Sequence, residues 1–196
     1  MRRLEKARRG RVSVPSDYRS LDALNWPLLR GLRFDHGGPV DDFIQRRALD
    51  DKRELLRQTW VKFAPASLEP IGFVSFSNSS IPAADSDKAF SGLDYPAVLL
   101  AFIGVREELR GMGLGSAMLA EWLSSFASVN NKTGCRIMKV YPTSIDLAEG
   151  FYKKLGFHYI GKRPHIDQVS IAMFVPLTRY RSIKLSQGTN PHGQAD

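Results

Sequence analysis

Three glycines at alternate positions, Gly111, Gly113 and Gly115, separate an apolar run from a helical pattern. A glycine has no Cβ, so it can adopt positive φ and let a ligand approach the backbone closely. The N–H groups that begin a helix lack partners within the helix and favour an anion there. Arg110 adds a positive charge beside the first glycine. This glycine turn therefore predicts a phosphate or pyrophosphate site, with an ordinary tight turn between a strand and a helix as the alternative.

The glycine turn matches neither of two common nucleotide-binding motifs. It lacks the Lys-Ser or Lys-Thr pair of a P-loop, and its glycines do not follow the Gly-x-Gly-x-x-Gly pattern of a dinucleotide site. A second chemically interesting segment lies downstream, where Phe151-Tyr152 is followed by Gly156-Phe157. A tyrosine hydroxyl has a pKa of about 10 and can donate a proton at neutral pH. From spacing alone, Tyr152 is equally a candidate for an amphipathic core residue.

Together these segments resemble the two signatures of the GCN5-related N-acetyltransferase (GNAT) superfamily. The run Arg110-Gly-Met-Gly-Leu-Gly115 resembles the turn Arg/Gln-x-x-Gly-x-Gly/Ala, which holds the pyrophosphate of acetyl-coenzyme A (acetyl-CoA) in that superfamily. The run from Ala148 to Phe157 resembles its helix ending in Phe-Tyr-x-x-x-Gly-Phe before a strand. The resemblance implies an acyltransferase with acetyl-CoA as co-substrate. It also implies an α/β (α+β) GNAT fold, whose mixed sheet of about six to seven strands is splayed between strands 4 and 5 and flanked by about four helices.

The same resemblance implies roles for individual residues. The Tyr152 hydroxyl is the catalytic proton donor to the leaving thiolate, and backbone groups of Ile103 and Val105 hold the pantetheine and polarise the acetyl carbonyl. We expect Arg106 and Glu107 to lie on the surface. No metal site is expected, because the histidines lack the spacing of metal ligands. The residues implied to bind acetyl-CoA are Ile103, Gly104, Val105, Arg110, Gly111, Met112, Gly113, Leu114, Gly115 and Ser116.

Four further segments carry a narrower resemblance: Phe34-Asp-His-Gly37, Asp42-Phe-Ile44, Tyr95-Pro-Ala-Val-Leu-Leu100 and Met173-Phe-Val-Pro-Leu177. They span most of the chain and resemble the acetyltransferase toxins of bacterial type II toxin–antitoxin systems. The sequence departs from that group at His36, which replaces the usual cysteine, and at Val140-Tyr141-Pro142, where Val-Asp-Ala is general.

This narrower resemblance implies a toxin that acetylates the α-amino group of aminoacyl-tRNA and blocks translation. It also implies that the protein forms a homodimer and that a small, DNA-binding antitoxin neutralises it. Two alternatives stay open. One is acetylation of a small-molecule or protein amine, and the other is a non-enzymatic regulatory module that binds coenzyme A or nucleic acid.

The residues of the apolar run also indicate which amine could react. No Asp, Glu or His occurs from Ala97 through Val105, so this run offers no obvious general base. A lysine amine of pKa about 10.4 costs about 4.6 kcal/mol to deprotonate at pH 7, whereas an α-amine of pKa about 7.7 costs about 1 kcal/mol. The amine of an aminoacyl ester should have a lower pKa still. An α-amino group, as in aminoacyl-tRNA, is therefore the favoured acceptor.

The charge of the chain favours a polyanionic partner. Its 196 residues include 28 Lys and Arg against 20 Asp and Glu, which gives a net charge of +8 and an isoelectric point near 9.8. Such a surface attracts nucleic acid, although a basic surface can also serve solubility alone. Five cations are candidates for contact with tRNA phosphates, and a solvated helix face is the alternative. They are Arg46, Arg47, Lys52, Arg53 and Arg57.

Composition is that of an ordinary globular protein, with 43% hydrophobic and 24% charged residues. No apolar run approaches the roughly 20 residues of a membrane span. The single cysteine, Cys135, cannot form a disulfide within the chain. We therefore expect a cytoplasmic protein without a membrane segment. Three parts are predicted: a flexible basic arm at 1–14, one GNAT domain at 15–185 and a disordered tail at 186–196.

The elements that must position these residues follow from apolar patterns. We expect irregular packing from Tyr18 to Leu32 and a surface loop at 77–94. Strands are predicted at 60–63, 71–76, 97–105, 135–141, 157–160 and 169–177. Helical segments are predicted from Val40 across two short helices to Arg57, from Gly113 to about Val129, and from a cap at Ser144 or Asp146 to a glycine stop at Gly156.

Overall fold

The computed structural model describes residues 17–82, 94–160 and 171–180, apart from the side chains of 129–133 and 179. The predicted arm at 1–14, the predicted tail at 186–196 and residues 83–93 of the predicted loop lie outside these ranges.

The described residues form one mixed sheet of seven strands. The strands are β1 (Tyr18–Ser20), β2 (Gln58–Phe63), β3 (Pro70–Ile81), β4 (Tyr95–Val105), β5 (Ile137–Val140), β6 (His158–Tyr159) and β7 (Met173–Pro176). Their spatial order is β1-β2-β3-β4-β5-β7-β6. Strands β4 and β5 run parallel, and the other neighbouring pairs in this sheet run antiparallel. The predicted fold class, with its sheet of six to seven strands, is confirmed.

Three helical segments flank the described sheet. The residues predicted as two short helices form one continuous segment, because a π turn absorbs an extra residue without breaking the helix. None of the helices in the described ranges is long and apolar enough to cross a membrane. The segments are α1 (39–53: Pro39–Asp42, the π turn Phe43–Arg47 and Ala48–Arg53), α2 (Leu114–Thr133) and α3 (145–155: Ile145–Leu147, the π turn Ala148–Tyr152 and the 3₁₀ turn Lys153–Leu155).

Local side chains fix where α1 and α3 begin and end. The Asp35 carboxylate accepts the N–H groups of Val40 and Asp41 at 2.7 and 3.0 Å, which satisfies two free donors at the start of α1. Ser144 accepts the N–H of Leu147 at 3.1 Å, as predicted from its position before α3. Gly156 has a φ of +82°, so the predicted glycine stop is also confirmed.

Apolar residues divide between the two faces of the sheet. Helices α2 and α3 cover one face, called here the α2 face, where Phe76, Leu100, Trp122 and Met173 are buried together. Helix α1 covers one end of the opposite face, called the α1 face. Its buried cluster includes Phe34, Phe43, Ile44, Phe63 and Phe73. Strands β3 and β4 supply both clusters, since neighbouring residues of a strand point to opposite faces. Along β4 this alternation shifts by one residue, so that Leu100 and Ile103 lie in the same cluster and Phe102 in the other.

Strands β4 and β5 separate part of the way along β4. Their pairing runs from Ala97 opposite Ile137 to Leu100 opposite Val140, where β5 ends, while β4 continues to Val105. On its other edge β4 contains a bulge, since Ser75 pairs with Phe102 and Phe76 with Leu100. The extra residue increases the local twist of the strand. The predicted splay between strands 4 and 5 is thus present, and it is called here the opening.

Several predicted boundaries were wrong. Within the described ranges, the strand predicted at 169–177 is limited to Met173–Pro176. Tyr18–Ser20 is an edge strand rather than irregular structure, because it pairs with Trp60 to Lys62 of β2. Strand β3 extends through the serine-rich start of the predicted loop to Ile81, because these residues pair with β4 as far as Tyr95. Helix α2 continues past Val129 to Thr133. In the two strands, pairing with a neighbouring strand outweighs weak local preferences.

Candidate active site

The glycine turn connects the end of β4 to the start of α2. After Val105 the chain makes the 3₁₀ turn Glu107–Leu109, and α2 begins at Leu114. Gly111 and Gly113 have φ values of +75° and +79°, which side chains rarely allow. A Cβ at either glycine would meet no heavy atom within 4 Å. Both glycines are therefore required by backbone conformation, and the turn is open enough for a ligand to reach its N–H groups.

The first turn of α2 presents free donors at this turn. The Ala117 N–H donates to the Gly113 carbonyl at 3.0 Å, so the N–H groups of Leu114, Gly115 and Ser116 precede the first helical hydrogen bond. A Cβ on Gly115 would lie 3.6 Å from Val105 Cγ2 and from Phe151 Cε2, so the start of α2 packs closely against β4 and α3. The arrangement can bind an anion such as a pyrophosphate.

The turn is exposed around these donors. Arg110 is exposed, as is Met112, whose exposed fraction is 75%. A hollow of about 440 Å³ lies beside the turn and is lined mainly by apolar side chains: Ile71, Leu109, Met112, Leu114 and Ala117, with Gly113. Charge for an anion therefore comes from the backbone donors and Arg110, while the neighbouring wall is apolar.

The free edge of β4 faces the opening with alternate backbone groups. The N–H of Arg106 donates to the Ile71 carbonyl at 3.1 Å, so Arg106 points toward β3. Because backbone groups alternate between the two edges of a strand, those of Ile103 and Val105 point toward the opening. The backbone groups of Gly104 instead point toward β3, where Gly104 pairs with Phe73. A Cβ on Gly104 would lie 2.5 Å from Phe73 Cε1. Gly104 therefore makes room for the core, while Ile103 and Val105 offer the groups that a ligand could use.

Tyr152 lies in the π turn of α3, within the buried cluster that also contains Ile103 and Val105. Its side chain is 4% exposed, and the rings of Phe151 and Phe157 contact it edge-on at centroid distances of 4.9 and 5.4 Å. Its hydroxyl forms no hydrogen bond to any described residue. Burial raises the pKa of Tyr152 well above its ordinary value. The hydroxyl is therefore protonated at neutral pH and can act as a donor.

The five cations predicted to contact tRNA do not form a free basic face. Each has a partner within the chain, and the segment 40–57 contains as many acidic as basic residues. Arg57 lies over the rings of Phe43 and Phe102 at 5.8 and 5.9 Å, and these rings stack on each other at 3.9 Å. The pairs are Arg46 and Arg47 with Asp42 (3.2 and 3.9 Å), Arg53 with Asp50 (3.1 Å), Arg57 with Asp51, and Lys52 with Ser20 Oγ (2.8 Å) and the Leu21 carbonyl.

Arg106 and Glu107 were predicted on the surface; both are partly exposed, and both are held by ion pairs. The Arg106 side chain is 17% exposed and forms ion pairs with Glu69 and Glu108. Glu107 accepts the N–H of His36 at 2.6 Å and faces His36 Nδ1 at 2.9 Å. These contacts fasten the turn before α1 to the turn after β4, a long-range pairing that no local pattern signals.

The sequence did not predict a functional residue at the end of β5. Tyr141 directly follows β5 and is 48% exposed, and the Lys139 ammonium lies 4.8 Å from the centroid of its ring. In the sequence, Val140-Tyr141-Pro142 is distinguished only by its departure from a family pattern. A large aromatic residue just past a buried strand was the available signal. Within the described ranges no group of three His, Cys, Asp or Glu residues could hold a metal ion.

Comparison with known families identifies the class of protein that this geometry belongs to. Residues 60–159, which include the glycine turn, the free edge of β4 and Tyr152, match the family model for the acetyltransferase (GNAT) domain. The match covers about half of the chain. The protein therefore belongs to the GNAT acetyltransferase family and is an acyltransferase by class. A search of curated protein sequences found no match.

Solved structures share this fold at low sequence identity. A crystal structure of a bacterial toxin has a TM-score of 0.69 and 17% identity, covering 89% of this chain and 98% of the other. AtaT complexed with acetyl-methionyl-tRNAfMet has a TM-score of 0.66 and 20% identity, covering 87% and 98%. AtaTR bound with acetyl-CoA has a TM-score of 0.62 and 22% identity, covering 87% and 96%. At such identities the likeness establishes the fold.

Proposed function

We propose that this chain transfers the acetyl group of acetyl-CoA to the α-amino group of aminoacyl-tRNA, as the toxin of a toxin–antitoxin pair. The observation that carries the proposal is the Tyr152 hydroxyl, which is protonated, has no hydrogen-bond partner among the described residues and belongs to the same cluster as the free end of β4. In this proposal a small antitoxin neutralises the toxin, which works as a cytoplasmic homodimer.

The residues present suit acetyl-CoA. The open glycine turn and the free N–H groups of Leu114 to Ser116 fit a pyrophosphate, with Arg110 beside them. The backbone groups of Ile103 and Val105 fit the polar atoms of an extended chain along the opening. When bound, acetyl-CoA supplies a thioester, an activated acetyl group with a thiolate leaving group. The fit supports these residues as its binding site.

The chain's own groups then have distinct tasks. Backbone N–H groups at the end of β4 stabilise negative charge that develops on the acetyl oxygen as the amine nitrogen bonds to the carbonyl carbon. As the carbon–sulfur bond breaks, the Tyr152 hydroxyl donates its proton to the sulfur. No acid or histidine lies on β4 between Ala97 and Val105, so this strand supplies no base, and in this proposal the acceptor nitrogen releases its proton to water. This favours an acceptor that is easily deprotonated, such as an α-amine.

The structural relatives support the toxin part of the proposal. One is the AtaT toxin as a Tyr-to-Phe mutant bound to the C-terminus of the antitoxin AtaR. Another is a complex of KacTA with DNA, and a third holds acetyl-methionyl-tRNAfMet. These partners are those of AtaT and KacT. A similar fold and a tyrosine in α3 make the same kind of acceptor and partner the leading proposal for this chain.

The test is transfer of radiolabelled acetyl from acetyl-CoA to a pool of charged total tRNA. We expect label on the aminoacyl fraction with the wild type and a loss of about 100-fold or more in kcat with Tyr152→Phe, because that variant lacks the proton donor. The matched control is Tyr159→Phe, which also removes one hydroxyl from this part of the fold. The Tyr159 hydroxyl instead donates to Glu149 at 3.0 Å.

Other outcomes separate the alternatives. Label on free amines or proteins but none on tRNA would replace the proposal with a small-molecule or protein acetyltransferase. Binding of acetyl-CoA without turnover on any amine would indicate a regulatory module.

A further inference from the structure

The two faces of the sheet carry different side chains at the opening. The residues proposed for the donor, namely Tyr152, Ile103 and Val105, all belong to the cluster on the α2 face. The side chains of Phe102 and Lys139 lie on the other face, because strand alternation places them opposite Ile103 and Val140. An amine that attacks the acetyl carbon must approach from the side that the donor leaves free. The acceptor therefore reaches the opening across the α1 face.

Tyr141 stands at the rim of the opening on this α1 face. Val140 is the last β5 residue paired with β4, so Tyr141 lies where the two strands begin to separate. The Lys139 ammonium lies 4.8 Å from the centroid of its ring, which places Tyr141 on the same face as Lys139. Lys139 is itself buried, and its Nζ donates to the Ser80 carbonyl at 3.4 Å. Buried Pro142 follows directly and restricts the backbone.

Lys139 and Pro142 thus hold the Tyr141 ring in place, and much of the ring is left open to a ligand. About half of its surface is exposed, and Lys139 is its one side-chain partner in the described ranges. Across the opening, on β4, Phe102 stacks on Phe43 with an interplanar angle of 6°. Both strands that border the opening thus carry an aromatic residue on the face that the acceptor must cross.

We propose that Tyr141 is the surface on which the terminal adenine base of the aminoacyl-tRNA stacks. This inference rests on the proposed function, because it concerns the acceptor of that reaction. The adenosine that carries the aminoacyl ester is common to all charged tRNAs, and its base is the nucleobase nearest to the ester in every one of them. A tyrosine ring accepts a stacked base without requiring particular hydrogen bonds. Stacking would hold the ester, and with it the α-amine, at the opening.

The experiment compares Tyr141→Ala, which removes the ring, with Tyr141→Phe, which keeps it and removes the hydroxyl. We expect Tyr141→Ala to raise the KM for aminoacyl-tRNA by at least about fivefold, the lower end of a stacking contribution, and Tyr141→Phe to match the wild type. The KM for acetyl-CoA should stay unchanged in both variants. That value also reports that each variant is folded with an intact donor site.

A second measurement needs no turnover and uses an uncharged acceptor-stem minihelix. Fluorescence polarisation should show weaker binding of the minihelix by Tyr141→Ala than by Tyr141→Phe or the wild type. With a minihelix that lacks the terminal adenosine, all three proteins should bind equally. Equal binding of the complete minihelix by all three would overturn the inference, as would equal KM values for aminoacyl-tRNA or a parallel rise in the KM for acetyl-CoA.

These two measurements separate the inference from the proposed function. If the wild type acetylates no charged tRNA, the proposed function fails, and minihelix binding still decides whether Tyr141 holds the adenine. If charged tRNA is acetylated and the loss of the ring changes neither measurement, the proposed function stands and the inference fails.

Discussion

The ring and the hydroxyl of Tyr152 have different surroundings. It is buried, its ring is held edge-on by Phe151 and Phe157, and its hydroxyl has no hydrogen-bond partner among the described residues. Burial of the ring fixes where the hydroxyl lies, and no described residue engages the hydroxyl itself. A bound sulfur atom could therefore accept its hydrogen bond, as the proposed proton transfer requires.

The pH dependence of acetyl transfer should reflect the acceptor amine and not Tyr152. Burial raises the pKa of Tyr152 above its ordinary value, so the hydroxyl keeps its proton throughout the neutral and mildly alkaline range. The fraction of neutral, reactive amine rises with pH and approaches its maximum once the pH exceeds the amine pKa, which is about 7.7 for a free α-amine and lower in an aminoacyl ester. We therefore expect kcat/KM for aminoacyl-tRNA to rise through neutral pH and then level off, as measured by initial rates over short times. A descending limb below pH of about 9 would contradict the assigned role of Tyr152.

At the scale of elements, the glycine turn offers a test of site geometry with an internal control. Gly113 at the site and Gly134 after α2 both have positive φ, +79° and +68°, and at both a Cβ would meet no atom within 4 Å. We expect Gly113→Ala and Gly134→Ala each to lower the free energy of unfolding by about 1 kcal/mol, from backbone strain. Only Gly113→Ala should also raise the KM for acetyl-CoA. Urea denaturation and steady-state kinetics measure the two effects, and equal KM values would remove Gly113 from the donor site.

Just past the end of α1, Leu55 has a backbone conformation that is unfavourable for a leucine. Leu55 has a φ of +59° and is 81% exposed, in a turn closed by hydrogen bonds from Leu55 N–H to the Lys52 carbonyl and from Leu56 N–H to the Asp51 carbonyl. This is the position at which helices favour glycine. We expect Leu55→Gly to stabilise the protein by about 0.5–1 kcal/mol in urea denaturation. Leu56→Gly, without a positive φ to relieve, should destabilise it.

The sequence predicted the features that depend on neighbouring residues and missed those that depend on contacts between distant segments. The glycine turn and Tyr152 lie in short motifs whose spacing reflects local backbone needs, so they could be predicted as candidates. Strand β1 could not, because three residues become a strand only through pairing with β2. The contact of His36 with Glu107 and the placement of Tyr141 across from Phe102 depend on how distant segments pack. The same holds for the α1 cations, whose neutralisation by nearby acids was visible as composition but not as ion pairs.

At the scale of the whole molecule, net charge and local charge point in different directions. The chain carries a charge of +8, yet the helix that holds most of the candidate tRNA contacts is locally balanced. If Arg46, Arg47 and Arg53 contact tRNA phosphates, their ion pairs with Asp42 and Asp50 must first break. Breaking these pairs would weaken the contribution of the arginines to binding.

Salt dependence measures how many phosphate contacts form. If tRNA is the acceptor, the logarithm of its affinity should fall against the logarithm of salt concentration with a slope of about −0.7 to −0.9 for each contact. Asp42→Asn should release Arg46 and Arg47 from their ion pairs and steepen this slope, whereas the KM for acetyl-CoA should respond to salt equally in both proteins. A flat response in the wild type would remove the electrostatic basis for tRNA as substrate.

The short ladder between β4 and β5 has a mechanical consequence. Within the sheet, four residue pairs join the half containing β1–β4 to the half containing β5–β7, and beyond Leu100 the seam lies open. A donor molecule seated along Ile103 and Val105 would act as a splint across that seam, tying the glycine turn to α3. Loading the enzyme would then also stiffen the opening, because it would add a connection within the sheet to the buried cluster on the α2 face that already joins the two halves.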